Sequence, residues 1–198
     1  MLEAQRPERE PAPDDERACF RVVYEGLALS GRRANLERIW ATVPPERRSN
    51  LTWRPTLEDE DGAVLTFGVR SATERVDGRA LQLELVAAHG AAFAGITRRA
   101  LLERADGVVI VVDSEAHRVE QNEQWLAEAR TWIANDVPIV VQYNKRDLPS
   151  AVPVEELRRR FNPGGYPDVE ASVLSGVGVM ATLRAIARAV AERPRRTR

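Results

Sequence analysis

The apolar positions of this chain fall into short continuous runs that alternate with helical stripes. Cys19 to Tyr24, Gly107 to Asp113 and Val137 to Tyr143 are nearly unbroken apolar runs rich in β-branched residues. That is the pattern of parallel strands buried on both faces. Ala63 to Arg70 and Ala80 to Val86 alternate instead, and Val76-Asp77-Gly78 between them is a turn signal, so the pair predicts an antiparallel hairpin. Val169 to Leu174 reads as a last strand. Helices are predicted over Asn35 to Thr42, Thr97 to Arg104, Arg118 to Ala134, and Val154 to Phe161 with Pro153 in its first turn. In the third of these, Val119, Asn122, Leu126, Ala129 and Ile133 share one face. Trp125 and Trp132 lie beside that stripe, at least one of them assigned to the core. Val179, Leu183, Ile186 and Val190 line one face of a closing helix. The order predicts an α/β fold with a six-stranded, mostly parallel sheet and helices on both faces.

The polar remainder sets the domain organisation. Residues 1–17 are charged and proline-containing, with too little apolar surface to offset ordering entropy, and are predicted to be a disordered tail. Residues 18–192 form one domain, and 193–198 a short basic tail. From Val43 to Gly62 the chain is irregular, with Pro44-Pro45, Trp53, Pro55 and the acidic run Glu58 to Asp61. This predicts a functional surface loop, Trp53 being its best candidate for partner contact.

Composition narrows the classes. At 198 residues, with 43% hydrophobic and 30% charged residues, the chain is one ordinary globular domain. A formal net charge of -1 provides no field for nucleic acid or an anionic membrane. No apolar stretch approaches a membrane span and the first residues are charged, so no membrane insertion is expected and the cytoplasm is the expected location. The single cysteine, Cys19, excludes an internal disulfide and reads as a small core residue.

The candidate chemistry sits where predicted strands end. The run ending at Tyr143 gives way to Asn144-Lys145-Arg146-Asp147, and in open α/β sheets ligands bind at the carboxyl ends of strands. Guanine presents an N1–H and an amine that a carboxylate such as Asp147 accepts together. Its O6 and N7 suit an Asn amide and backbone N–H groups, and a lysine stem can lie along the base. Asn144, Lys145 and Asp147 match the Asn-Lys-x-Asp guanine-reading motif. Among 29 Lys and Arg residues, Lys145 is the only lysine. After the first strand, Gly26 and Gly31 stand where the phosphate loop Gly-x-x-x-x-Gly-Lys-Ser/Thr places its glycines, with Ser30 before the second. Arg32 replaces the lysine with a planar fork. Arg33 replaces the metal-binding hydroxyl and is expected to project a cation toward the metal position. Ser175 and Gly176 are the candidates for a last loop with backbone N–H groups near O6.

The phrases Gln142 to Ala151, Ala105 to Val109, Val112 to Ser114 and Ser175 to Val179, with Asn35-Leu36 and Leu183, resemble the MglA group. These are bacterial Ras-like GTPases that set cell polarity in gliding motility. The resemblance covers roughly residues 19 to 192 and implies a Ras-like phosphate-loop domain, GTP or GDP as ligand, and protein partners. Partners would engage two switch regions, residues 43–62, where Thr52 or Thr56 would close over Mg²⁺, and 87–97. The family's second switch carries an acid, a glycine and a glutamine. Here Ala87, Gly90 and Ala91 stand in those places, with His89 a weak substitute base. The departures argue against Mg²⁺ binding, and no residue is assigned as catalytic or metal-ligating. Three readings stand: a pseudo-GTPase acting by protein binding, a slow GTPase using Arg32 for the lysine, and a nucleotide-free structural subunit.

Overall fold

The computed structural model describes residues 19–55, 63–89 and 96–193. Among the described residues seven strands form one sheet: β1 (Cys19–Glu25), β2 (Thr52–Pro55), β3 (Ala63–Val76), β4 (Arg79–His89), β5 (Gly107–Asp113), β6 (Ile139–Asn144) and β7 (Asp168–Glu170). Their spatial order is β2-β3-β4-β1-β5-β6-β7. β2, β3 and β4 pair antiparallel, while β4, β1, β5, β6 and β7 run parallel. Five α-helices join the described strands: α1 (Arg32–Thr42), α2 (Ile96–Glu103), α3 (Val119–Arg130), α4 (Val154–Phe161) and α5 (Val179–Ala191).

The strand count is a correction, seven rather than six. The added strand, β2, comes from the stretch read as irregular. Every residue of it is exposed at the sheet edge, so no burial alternation marks it. β7 is shorter than expected and stops at Glu170. There the chain bonds groups at and just beyond the end of β6: Arg146 N–H donates to the Ala171 carbonyl at 3.0 Å and Val173 N–H to Asn144 Oδ1 at 3.1 Å. Cys19 is exposed at the start of β1 rather than in the core.

The strict alternation of β5 shows how the sheet divides its two cores. Val109 and Val111 face α1 and α5, packing with Leu36, Ile39, Leu183 and Ile186. Val108, Ile110 and Val112 face the opposite way, with Leu126, Leu157 and Phe161 of α3 and α4. Both faces exclude water, which is why the central strands read as continuous apolar runs. Trp132 packs against the second core. One polar network crosses the first. Gln142, fully buried on β6, donates from Nε2 to Asn35 Oδ1 (3.0 Å) and Thr182 Oγ1 (2.9 Å), and accepts from Asn35 Nδ2 (2.8 Å). It ties α1 and α5 to β6, directly behind the loop at the strand's end.

Candidate functional site

The carboxyl ends of β1, β5 and β6 converge on one side of the sheet. Between β1 and α1 the chain turns through residues 26–31. A Cβ at Gly26 would lie 2.3 Å from the Val111 carbonyl, so the glycine lets the loop press against β5. Leu29 adopts a left-handed φ of 66° and is 83% exposed at the loop tip. Gly31, at φ 104°, starts α1, and a Cβ there would lie 2.2 Å from Asn144 Nδ2. No side chain caps this helix start and no acid stands in its first turn, which leaves backbone N–H groups available to an anion. α1 begins three residues before the predicted Asn35, so Arg32 and Arg33 are helical.

Those two arginines diverge. Arg33 is exposed, donates from Nε to Glu37 Oε1 at 2.7 Å, and stacks with Cζ 4.7 Å from the Trp53 ring centre. It is held at the α1 surface against β2, where the i,i+4 carboxylate and the indole face claim its charge. Arg32 is only 5% exposed, with Cζ 5.7 Å from the Trp125 ring, and its buried Nη1 has no hydrogen-bond partner. Burial pushes its pKa down, opposed by nearby Glu25 and reinforced by Arg98.

At the end of β6, Asn144 acts as a clasp. Its Nδ2 donates to the Ser30 carbonyl at 2.7 Å and its Oδ1 accepts from Val173 N–H at 3.1 Å, so one amide fastens the loop after β1 to the loop after β7. Lys145 sits at a left-handed φ of 64°. Its Nζ lies 2.7 Å from Asp113 Oδ2 and 2.7 Å from Glu115 Oε1. Burial lowers the lysine's pKa, but the two carboxylates outweigh it and leave it raised. The Lys145 hydrogen bond chiefly holds the Glu115 carboxyl below its ordinary range. The one lysine of an arginine-rich chain is thus the cation that bridges these two carboxylates.

Asp113, Glu115 and Arg118 were missed as site residues. Asp113 is fully buried at the end of β5. Arg118 approaches its Oδ2 to 3.7 Å while donating from Nη2 to the Ala28 carbonyl at 2.6 Å. An acid closing an apolar strand was the available signal.

Between these loops lies a cleft of about 720 Å³. Gly31, Ala34, Asn144, Lys145, Val173 and Leu174 are among the residues that line it. Asp147 stands exposed at its rim with no hydrogen bond or ion pair to the described residues. Gly31, Asn144, Lys145 and Asp147 are thus brought together, with Ser30 behind them. Ser175 and Gly176 are not in the lining; the loop meets the cleft at Val173 and Leu174, because the Asn144 clasp takes Val173. The Ser175 carbonyl instead accepts from Arg38 Nη2 at 3.2 Å.

On the phosphate side, Ala87 is 1% exposed on β4, opposite Tyr24 and Leu65, and presents a methyl group to the first core. Gly90, Ala91, Thr56 and the acidic run Glu58 to Asp61 lie outside the described residues, and Thr52 is exposed on β2. Among the described residues no group of three or more His, Cys, Asp or Glu is placed to hold a metal ion.

No protein-family model matches the chain. Over 177 residues it is 35% identical to the mutual gliding-motility protein MglA of Myxococcus xanthus, an alignment covering 86% of this chain and 89% of that protein. With the parallel sheet, the glycine loop before α1 and Asn144, Lys145 and Asp147 at the end of β6, this identity places the chain in the MglA group of Ras-like small GTPases.

Proposed function

We propose that this protein is a guanine-nucleotide-binding pseudo-GTPase that regulates polarity or motility by binding another protein. The observation that carries the reading is the contrast between the two ends of one site. At the base end, Asp147 is an exposed carboxylate at a cleft that Lys145 also lines. At the phosphate end, Arg33 is committed to Glu37 and Trp53, and Ala87 is a buried methyl.

Each residue then has a role that its chemistry allows. Asp147 accepts the N1–H and amine of guanine, a pair of donors that adenine lacks. The Lys145 stem lies along the base while its ammonium stays with Asp113 and Glu115. Asn144 holds the two loops at the spacing the base needs. The start of α1 suits phosphate oxygens. A resident Mg²⁺ does not fit this set: position 33 offers no oxygen ligand and position 87 no acid. The protein therefore takes nucleotide without metal, does not activate water, and works through the surfaces at 43–62 and 87–97. Trp53, 40% exposed on β2 beneath the Arg33 guanidinium, is the anchor for the first of these.

Competition of unlabelled GDP, GTP, ADP and ATP against a fluorescent guanine nucleotide tests the pocket. Guanine nucleotides should displace the probe and adenine nucleotides fail by on the order of 10⁴ in concentration. Comparable displacement by ATP and GTP would remove the guanine assignment.

A further inference from the structure

Alternate residues of β6 grip the start of α1 from behind the cleft. Gln142 and Asn144, two apart on one strand, present their side chains to the same face of the sheet. Asn144 Nδ2 donates to the Ser30 carbonyl at 2.7 Å. Gln142 reaches the next carbonyl through Asn35, whose Nδ2 donates both to Gln142 Oε1 at 2.8 Å and to the Gly31 carbonyl at 3.0 Å. The same glutamine continues to α5. Its Nε2 donates to Thr182 Oγ1 at 2.9 Å, and that hydroxyl donates to the Gly178 carbonyl at 2.9 Å. Gly31 and Gly178 are the left-handed residues, at φ 104° and 77°, from which α1 and α5 begin, and neither helix start has a side-chain cap. Both are seated closely: a Cβ at Gly178 would lie 2.2 Å from the Glu170 carbonyl at the end of β7, as one at Gly31 would from Asn144 Nδ2.

Asn35, Gln142 and Thr182 are fully buried. Both N–H groups of each amide are used, each amide oxygen accepts a bond, and the hydroxyl both donates and accepts. Holding the core together does not require this polarity. Replacing both partners of a buried hydrogen bond by apolar groups of similar shape is nearly neutral, whereas a fully satisfied amide pair admits one geometry. What the three side chains fix is where two helices start relative to β6. Gly31 and Asn144 line the cleft, and Val173 and Leu174 line it from the segment between β7 and Gly178. Asn35, Gln142 and Thr182 are not among its lining residues.

We infer that Asn35, Gln142 and Thr182 act as one positioning unit that sets the spacing between the base-reading loop and the anion-facing start of α1, so that the cleft is formed before a ligand enters. The nucleotide in this inference rests on the reading above; the positioning does not. Walls that are already fixed need no ordering on binding, which strengthens affinity without any new contact.

Two substitutions at the α5 end of this chain of bonds separate positioning from packing. Thr182→Val keeps the bulk and removes the hydroxyl; Thr182→Ser keeps the hydroxyl and removes a methyl. The reporter lies at the other end: hydrogen exchange of the Asn35 amide, bonded to the Gly31 carbonyl at 2.9 Å. It is read against the Val43 amide, bonded to the Ile39 carbonyl at 2.8 Å where α1 ends. A loss of global stability speeds both amides alike. In ligand-free protein Thr182→Val should speed Asn35 relative to Val43 by about fivefold, while Thr182→Ser should leave the ratio within about twofold of the parent. Thr182→Ser moving the ratio as much as Thr182→Val, or Thr182→Val leaving it unchanged, overturns the inference. GDP calorimetry in chelator adds the ligand arm. Thr182→Val should bind about fivefold more weakly and Thr182→Ser like the parent, an order that packing alone does not give. Equal GDP affinity in all three proteins overturns the claim that this spacing serves the ligand. If no protein in the set, parent included, binds GDP, the nucleotide reading fails and the exchange ratio alone decides the positioning.

Discussion

Replacing Lys145 with methionine removes the ammonium between Asp113 and Glu115 while keeping an apolar stem of similar reach. Asp113 is fully buried and would lose its closest cation. It would keep the Glu115 N–H at 3.2 Å on Oδ1 and Arg118 at 3.7 Å from Oδ2. Breaking a fully buried pair costs about 3–5 kcal/mol. The Lys145 side chain is 26% exposed and Arg118 remains, so the expected loss is lower, about 2–3 kcal/mol. Lys145→Arg keeps a cation between the carboxylates and should cost less than Lys145→Met. The pH dependence follows from the two shifts. Lys145 has a raised pKa, so its contribution is complete below 10.5 and lost as pH rises through the still higher folded value. Glu115 has a lowered pKa, so its contribution is complete above 4.5 and lost as pH falls through the folded value. Urea unfolding should therefore give a constant difference between parent and Lys145→Met across the neutral range, shrinking in acid. A difference below about 0.5 kcal/mol at neutral pH, or one that grows in acid, would refute the role given to this lysine.

Asp147→Ala should leave the unfolding midpoint unchanged, since the carboxylate is exposed and unpartnered, yet lower GDP affinity by at least about a hundredfold in calorimetry. Gly31→Ala should cost about 2–4 kcal/mol in urea unfolding and abolish nucleotide binding, because a Cβ would strike Asn144 Nδ2 at 2.2 Å and φ is 104°.

How far the sequence reads depends on where each element's information lies. β5 and α4 coincide with their predicted bounds because both are defined by burial, which periodicity reports directly. The hairpin was also legible, through Asp77-Gly78 at positive φ, though its strands run past the predicted ends. β2 was not legible: an edge strand exposed on every residue carries no alternation. The last loop is expected at Ser175-Gly176 from its position in the chain order. What periodicity does not report is that Val173, just before it, lines the cleft through a long-range bond to Asn144. Arg98 is the plainest case. On a short helix beside the exposed Arg99 it reads as surface charge, and only Glu25, Trp125 and Trp132, brought from β1, α3 and the segment beyond α3, make it a core residue. The same holds for the divergence of Arg32 and Arg33, which adjacent letters do not reveal.

The central claim is that the base pocket persists while the metal-dependent phosphate chemistry is gone. Calorimetry of GDP and GTP with the full-length protein, once with Mg²⁺ and once with chelator, tests it most directly when the same samples are followed for released phosphate. The account predicts binding whose affinity changes by less than about threefold between the two conditions, with no phosphate release above the uncatalysed background. Affinity that rises by an order of magnitude or more with Mg²⁺, accompanied by phosphate release, would contradict it.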